Sequence, residues 1–208
     1  MDKPADTQFP ILDALANRWS PRAFADTPIE PEKLGSLFDA SRWAASAFNE
    51  QPWRFIVATK DQPDAPGSAY EKLLGCLVEA NQAWAKAAPV LLLTVGRTTF
   101  TKNDKDNRVW SHDIGLAMGN LCAQATALGL VVHQMAGVDL DKARGTYHIP
   151  TPFEPFTAAA LGYPGDPATL TEDWMKDAEQ APRSRNAFSN FVFSDWNTPS
   201  DLLGQANA

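Results

Sequence analysis

The stretch Arg42-Trp-Ala-Ala-Ser-Ala-Phe-Asn-Glu-Gln-Pro-Trp-Arg-Phe55 leads from a predicted helix, through a polar turn, into an apolar strand. Pro52 restricts the backbone just before the strand, so the turn ends at a defined position. Asn49 and Gln51 can each donate and accept hydrogen bonds, which suits the edge of a heterocycle with mixed donors and acceptors. An ordinary turn containing Asn and Pro would carry the same residues. The stretch therefore predicts a helix–turn–strand unit whose polar turn meets either a ligand or solvent.

Two short segments concentrate arginine near opposite ends of the chain. Arg18-Trp-Ser-Pro-Arg22 places a hydroxyl between two guanidinium groups, and Pro182-Arg-Ser-Arg185 repeats the arrangement. The rigid guanidinium fork suits phosphate and carbonyl-type acceptors, although each segment alone is more typical of a solvated basic loop. The clusters stand out because the chain as a whole is acidic, with a net charge of -7. Together they favour an anion-binding site built from both ends of the chain.

Length and composition place the chain among ordinary globular proteins. Its 208 residues, 44% of them hydrophobic, predict a single domain over residues 1–208. The acidic balance argues against a nucleic-acid or anionic-membrane surface, and we find no apolar stretch of membrane-spanning length and no signal-peptide pattern. Cys76 and Cys122 lie outside any Cys-x-x-Cys arrangement. Reduced, buried thiols of this kind predict a cytoplasmic protein.

Apolar periodicity predicts alternating helices and strands with no internal repeat. Pro31 is a favourable first residue for a helix, and Gly129 is a usual helix-ending residue. The run Pro89–Val95 is typical of a strand that is covered on both faces. The predicted helices cover residues 9–17, 31–45, 68–87 and 111–129. The predicted strands cover residues 55–59, 89–95, 131–132, 157–161 and 191–193.

The predicted helix over residues 111–129 is apolar on every side. Gly115, Gly119 and Ala123 recur every four residues and line up small side chains, which lets another backbone approach closely. A helix that is apolar all round is buried all round. The segment is therefore either a central core helix or part of a dimer interface, and the residues alone leave both open.

The usual catalytic and metal-binding patterns are missing from the sequence. There is no Gly-x-x-x-x-Gly-Lys-Ser/Thr, no Gly-x-Gly-x-x-Gly after a strand and no Gly-x-Ser-x-Gly. The three histidines show no metal-ligand spacing with one another or with the cysteines, so no metal site and no catalytic side chain is predicted. An anion-gripping site without acid/base or metal groups indicates that a bound cofactor carries the chemistry.

Along nearly the whole chain, these segments resemble the motifs of the nitroreductase superfamily, the FMN-dependent NAD(P)H oxidoreductases. Arg18–Arg22 is similar to the Arg-x-Ser-x-Arg start of that superfamily, and Arg42–Phe55 is similar to its Arg-Trp-Ala-Pro-Ser-Ser-x-Asn-x-Gln-Pro-Trp-x-Phe block. The later segments follow in the family's order: Asp113-Ile-Gly-Leu-Ala-Met-Gly-Asn-Leu121, Ala127-Leu-Gly-Leu130 with Met135–Asp139, Leu161-Gly-Tyr-Pro164 and Pro182–Arg185.

The resemblance implies the architecture. It gives an α+β fold with a central mixed or antiparallel sheet flanked by helices. It also gives a homodimer, in which helix 111–129 forms the dimer core and a C-terminal arm, residues 182–208, extends onto the partner. One FMN would bind at each of the active sites, at the subunit interface.

The resemblance also implies a role for each matched residue. The FMN phosphate and ribityl chain would meet Arg18, the backbone of Trp19, Ser20, Arg183 and Arg185. Arg22 would face the N1/C2-carbonyl side of the flavin, where a cation stabilises negative charge. Ser46, Ala47 and Asn49 would contact the same flavin from the partner subunit. The segment Met135-Ala136-Gly137 would supply backbone contacts, with an N–H of Ala136 or Gly137 near flavin N5.

The activity implied by the resemblance is electron transfer from NADH or NADPH, through FMN, to a small organic acceptor of the nitroaromatic or quinone type, in ping-pong order. Two alternatives remain: a superfamily member with different flavin chemistry, such as dehalogenation or flavin fragmentation, and a non-catalytic flavin-binding protein. The sequence departs from the family's pattern at Ala45, Ala47 and Phe48. Phe48 stands where a small residue is usual, so we expect it to narrow the substrate pocket or to stack on a substrate.

Overall fold

A four-stranded sheet lies at the centre of the fold in the computed structural model, which describes residues 3–60 and 67–203. Its strand order is β1-β2-β4-β3, and every neighbouring pair is antiparallel. The bounds are β1 Trp53–Thr59, β2 Val90–Arg97, β3 Val131–Met135 and β4 Phe153–Gly162. The predicted α+β class is confirmed, and of the two predicted kinds of sheet the described residues form the antiparallel one.

Helices cover both faces of this sheet. They are α1 Asp13–Ala16, α2 Pro31–Arg42, α3 Ala69–Leu74, α4 Glu79–Ala85, α5 Trp110–Ala127, α6 Leu140–Tyr147 and α7 Asp173–Gln180. Short 3-10 turns lie at Ala47–Asn49, Pro167–Thr169, Phe188–Asn190 and Asp201–Leu203. A small hairpin near the C-terminus pairs β5 Phe193–Asp195 with β6 Thr198–Pro199. None of the helices in residues 3–60 and 67–203 is both long and apolar enough to cross a membrane.

The core is divided between the two faces of the sheet. Leu91 and Leu93 of β2 belong to the cluster beneath α3, α4 and α6, while Val90 and Leu92 belong to the cluster beneath α2 and α5. This alternation follows from the period of two along a strand. Because β2 is buried on both faces, its sequence is a continuous apolar run, as predicted.

The segment predicted as one helix over residues 68–87 is two helices, and that prediction was wrong. After α3 the chain turns away to pair with the segment that follows β3. The N–H of Val78 donates to the carbonyl of Gly137 at 3.1 Å, and the N–H of Asp139 donates to the carbonyl of Cys76 at 2.8 Å. These tertiary hydrogen bonds replace the helical ones, so the helix ends and α4 begins anew.

Other boundaries also differ from the predicted ones. The helix after Pro31 ends at Arg42, not near residue 45, and the C-terminal strand begins at Phe193, not at residue 191. Helices α6 and α7 were not predicted from the sequence. A signal for α6 was present, because the Asp139 side chain caps the helix by accepting from the N–H of Lys142.

Helix α5 buries only one side within this chain. Ile114, Ala117 and Leu121 are buried, whereas Leu116 is 39% exposed. A Cβ atom built at Gly115 or Gly119 would meet nothing within 4 Å. The alternative of a central helix buried on all sides by its own chain is therefore wrong. The exposed side carries the small residues that permit close helix contact.

Candidate functional site

The first arginine segment lies over the sheet edge formed by β3 and beside α5. The ring Nδ1–H of His133, on β3, donates to the carbonyl of Pro21 at 2.9 Å. Burial lowers the pKa of His133 to about 4, so the ring is neutral near pH 7 and a single tautomer fits this contact. A guanidinium N–H of Arg18 donates to Oγ of Ser20 at 3.2 Å, which places both predicted phosphate ligands together.

Three guanidinium groups from the two ends of the chain lie close together. The pKa of Arg183 is lowered, first by partial burial and then by the nearby cations of Arg18 and Arg185. One nitrogen of Arg183 is already used, because it donates to the carbonyls of Lys3 at 2.6 Å and Ala16 at 2.7 Å. Within the described ranges none of the three forms an ion pair with a carboxylate. Clustered cations without carboxylates are the charge pattern of an anion site.

A groove of about 670 Å³ continues from these arginines along the two terminal segments. Residues 5–9 and Ile11 form one wall, and residues 183–188 with Phe191 form the other. Phe188 packs between Phe9 and Phe191, with ring centroids 5.9 and 5.6 Å away. The basic site is therefore bordered by an aromatic surface on one side.

Arg22 has an environment of its own. Its backbone N–H donates to Oε1 of Glu179 on α7 at 2.7 Å. Its guanidinium lies 5.9 Å from the ring centroid of Trp84 and 5.1 Å from that of Trp174. The buried Nε has no hydrogen-bond partner among the described residues. The cation is thus held by aromatic rings while its hydrogen-bonding fork remains available to a ligand.

The polar turn predicted as the second half of the site uses several of its groups to hold itself together. Oγ of Ser46 accepts from the N–H of Gln51 at 3.1 Å, and the N–H of Ala47 donates to Oδ2 of the buried Asp113 at 3.0 Å. The carbonyl of Asn49 accepts from Nε2 of Gln51 at 3.2 Å. Part of the polarity of this turn is therefore structural.

This turn is also strained. Phe48, Asn49 and Gln51 have φ values of 53°, 57° and 49°, which non-glycine residues seldom adopt. Phe48 is 84% exposed, and its ring meets Phe100 edge-on and lies under the ammonium of Lys102. Strained backbone that carries an exposed aromatic ring is a frequent feature of ligand-binding loops.

The two halves of the site are anchored at different places. The turn is fixed to Asp113 in the first turn of α5. The arginine segment contacts β3, where the carbonyl of Pro21 accepts from His133 and the neighbouring Gln134 donates to Sγ of Cys122, nine residues beyond Asp113 on α5. The fold therefore brings Arg18, Ser20, Arg183 and Arg185 together, but it places Ser46, Ala47 and Asn49 elsewhere along the same helix.

The segment Met135-Ala136-Gly137 ends β3, two residues beyond His133. Met135 is buried in the core, and Ala136 is exposed. Gly137 is required for packing, because a Cβ there would lie 2.4 Å from Nδ2 of Asn81 and 2.8 Å from Cγ2 of Val78. Two strand residues span about 7 Å, so this segment lies near the arginine half of the site.

Three residues that shape the site were not identified from the sequence. They are Glu179, Trp174 and Asp113, the last through its contact with the turn. Glu179 is fully buried, with 1% exposure, although an isolated Glu in a polar segment gives no such signal. Asp113 was quoted only as part of a helix motif. Neither contact has a local pattern, because the partners lie 157 and 66 residues apart in the chain.

The described residues thus combine an antiparallel α+β fold with a group of arginines that form no ion pair with a described carboxylate. The sequence profile of the Nitroreductase family matches residues 15–163. A Xanthomonas oryzae protein, provisionally named as an NADH dehydrogenase/NAD(P)H nitroreductase, is 32% identical over 166 residues, which cover 71% of this chain and 81% of that protein. The chain therefore belongs to the nitroreductase family.

Solved structures agree with this assignment. One, described as an oxidoreductase containing FMN, is 33% identical, with a TM-score of 0.82 over 91% of this chain and 93% of that one. A nitroreductase-like protein from Desulfovibrio desulfuricans, solved in complex with FMN, is 23% identical, with a TM-score of 0.67 over 91% of this chain and 98% of that one. The second likeness concerns the fold alone.

Proposed function

We propose that this member of the nitroreductase family passes electrons from NADH or NADPH, through FMN, to a small organic acceptor of the nitroaromatic or quinone type. As a family member the chain is an FMN-dependent oxidoreductase. The observation that carries the proposal is the group formed by Arg18, Arg183 and Arg185, which has no carboxylate partner among the described residues. An acidic chain concentrates such charge only where an anion must be held.

The residues present fit FMN. Its phosphate would be held by Arg18, Ser20 and Arg185, together with the donors of Arg183 that its contacts with Lys3 and Ala16 leave free. The backbone of Trp19 lies between the first two of these ligands and would contact the ribityl chain. These assignments follow from the charges of the arginines, since a dianion offsets neighbouring cations.

Arg22 would bind the N1/C2-carbonyl side of the flavin ring. The rings of Trp84 and Trp174 hold the cation, and its terminal nitrogens, which form no hydrogen bond with the described residues, would be the donors. The backbone of Met135–Gly137 would lie at N5. When bound, FMN supplies the chemistry by taking a hydride equivalent at N5 and returning electrons to a second substrate. A fixed cation beside N1 stabilises the negative charge that arrives with those electrons.

We also propose a homodimer, because the exposed side of α5 is uncovered in the single chain and the polar turn at residues 46–51 is anchored to α5 apart from the arginine segments. Ser46, Ala47 and Asn49 would reach the flavin of the partner subunit. The exposed side of α5, with Gly115 and Gly119, would form the dimer core, and residues 182–208 would form an arm that extends onto the partner. Large apolar side chains remain exposed around these elements, as expected of an uncovered interface: Leu12, Trp43, Phe48, Leu116, Phe191 and Trp196.

NAD(P)H and the acceptor would use one site in turn, which gives ping-pong kinetics. Phe48 would border that site and limit the acceptor's shape, because its ring is exposed and held by Phe100 and Lys102. The free thiols of Cys76 and Cys122 fit a reducing compartment, so we propose the cytoplasm as the location.

The purified protein tests the proposal directly. We expect a yellow protein whose absorption near 450 nm bleaches anaerobically with NADH or NADPH and recovers when a quinone or a nitroaromatic is added. Bleaching without recovery would favour different flavin chemistry. Colour without bleaching would favour a flavin-binding protein. A colourless chain that FMN does not reconstitute would contradict the cofactor assignment.

A further inference from the structure

Among the described residues, the most deeply buried charged residue is Glu179. It lies on α7, beyond the segment that the family profile matches. Only 1% of the residue is exposed, and a buried carboxylate is costly unless it does something specific. The groups that donate hydrogen bonds to this carboxylate therefore indicate its role.

Glu179 acts on the backbone of the Arg22 segment. Oε1 accepts from the N–H of Arg22 at 2.7 Å, and the N–H of Ala23 also stabilises the charged form. Burial raises the pKa of Glu179, while these N–H groups and the charges of Arg22 and Lys3 act in the opposite direction. The side chains of Glu179 and Arg22 make no ion pair within the described part of the chain.

In this geometry the hydrogen bond of Glu179 goes to the backbone of Arg22, and its negative charge acts on the surroundings of the guanidinium without a direct ion pair. A carboxylate placed against the guanidinium would occupy the fork in a bidentate pair. Placed against the backbone instead, it fixes residue 22, offsets part of the local positive charge, and leaves the fork between Trp84 and Trp174 free. Trp174 lies on the same helix, so α7 controls both the backbone and the side chain of Arg22.

We propose that Glu179 is a positioning residue for Arg22, which aims the free guanidinium fork at the flavin and moderates the positive charge beside N1. This inference rests on the proposed FMN site. Its charge makes the bound flavin harder to reduce than Arg22 alone would, while its hydrogen bond holds Arg22 in place. The charge of Glu179 opposes flavin reduction, whereas its hydrogen bond supports flavin binding by holding Arg22 in place. Substitutions can separate the two contributions.

Glu179→Gln keeps an acceptor oxygen for the N–H of Arg22 and removes the charge. We expect FMN affinity close to that of the wild type and an upward shift in the flavin midpoint potential, measured by dye equilibration. Glu179→Ala removes both contributions. We expect faster amide hydrogen exchange at Arg22 in the protein without FMN, and an FMN Kd raised about tenfold or more. Asp177→Asn removes one exposed charge from the same helix and should change neither quantity.

The outcomes separate this inference from the proposed function. A wild-type protein that binds no FMN would overturn both. A wild type that binds FMN, with a Glu179→Ala variant that keeps its affinity and exchange rate, would overturn the role of Glu179 alone. So would a Glu179→Gln variant whose potential matches that of Asp177→Asn. If Glu179→Ala does not fold, the potential of Glu179→Gln decides the question.

Discussion

The two halves of the site, which are the arginine segments at residues 18–22 and 182–185 and the polar turn at residues 46–51, are held in place by different kinds of contact. The arginine half is held from outside: Glu179, His133 and the carbonyls of Lys3 and Ala16 fix its backbone and the guanidinium of Arg183, while the guanidinium of Arg22 forms no hydrogen bond with the described residues. The turn at 46–51 is held partly by its own residues, Ser46 and Gln51, and partly by contacts of Ala47 with Asp113 and of Glu50 with the N–H of Thr101. In the proposed dimer, the first half would hold the anion within one chain, and the strained turn would contact the ligand of the partner subunit.

The largest effect should come from separating the halves. Gly119→Glu places a charge on the exposed side of α5, where a Cβ meets nothing within 4 Å, so the single chain still folds. We expect the dimer to dissociate and most of the FMN to be lost, as measured by light scattering and by absorbance. Gly145→Glu makes the same change at an exposed glycine of α6 and should leave a yellow dimer. A Gly119→Glu protein that remains a flavin-loaded dimer would contradict the two-subunit cradle.

The next effect tests the arginine half alone. Arg22→Ala removes a charged donor whose hydrogen bonds are worth about 1.5–3 kcal/mol, so we expect the FMN Kd to rise about 10- to 150-fold by fluorescence titration. Arg108→Ala removes the same charge from an exposed position and serves as the control. Equal affinities for the two variants would show that Arg22 is not at the flavin.

Loss of the contact between the turn and α5 should lower the stability of the protein more than it lowers the affinity for FMN. Asp113→Ala removes the buried acceptor of the Ala47 N–H and costs about 2 kcal/mol, or about 4–8 °C in Tm. The exposed Asp26→Ala should stay within about 0.5 kcal/mol. Calorimetry of the two variants decides whether the contact matters. If the two variants have the same Tm, the contact with Asp113 adds no stability, and the other hydrogen bonds of the turn hold it in place.

The smallest effect concerns the segment after β3. Gly137→Ala forces a Cβ against Asn81 and Val78 and should cost about 1–2 kcal/mol in the free energy of unfolding. Gly145→Ala, inside a helix and with open space around it, should instead stabilise by up to about 1 kcal/mol. Urea unfolding of the two variants measures the difference between their free energies of unfolding. An unchanged Gly137→Ala protein that no longer binds FMN would assign the glycine to the ligand, not to packing.

Much of the fold followed from periodicity, and the exceptions have identifiable causes. The apolar run of β2 and the long pattern of α5 are strong signals, and both elements formed where predicted. The break between α3 and α4 was not predictable, because it depends on hydrogen bonds from residues 76–78 to residues 137–139. Likewise, apolar residues all round α5 did not distinguish burial within the chain from an exposed side.

The sequence by itself determined the chemistry available to the site: arginines at both ends of the chain, a polar turn before β1, and no nucleophile motif. Local spacing reports such features because they depend on residue type and on the period of a helix or strand. Only the tertiary structure decided which groups remain free. Glu179 reaches the backbone of Arg22 across 157 residues, and His133 reaches Pro21 across 112. Such contacts arise from the packing of distant elements, which no local pattern encodes.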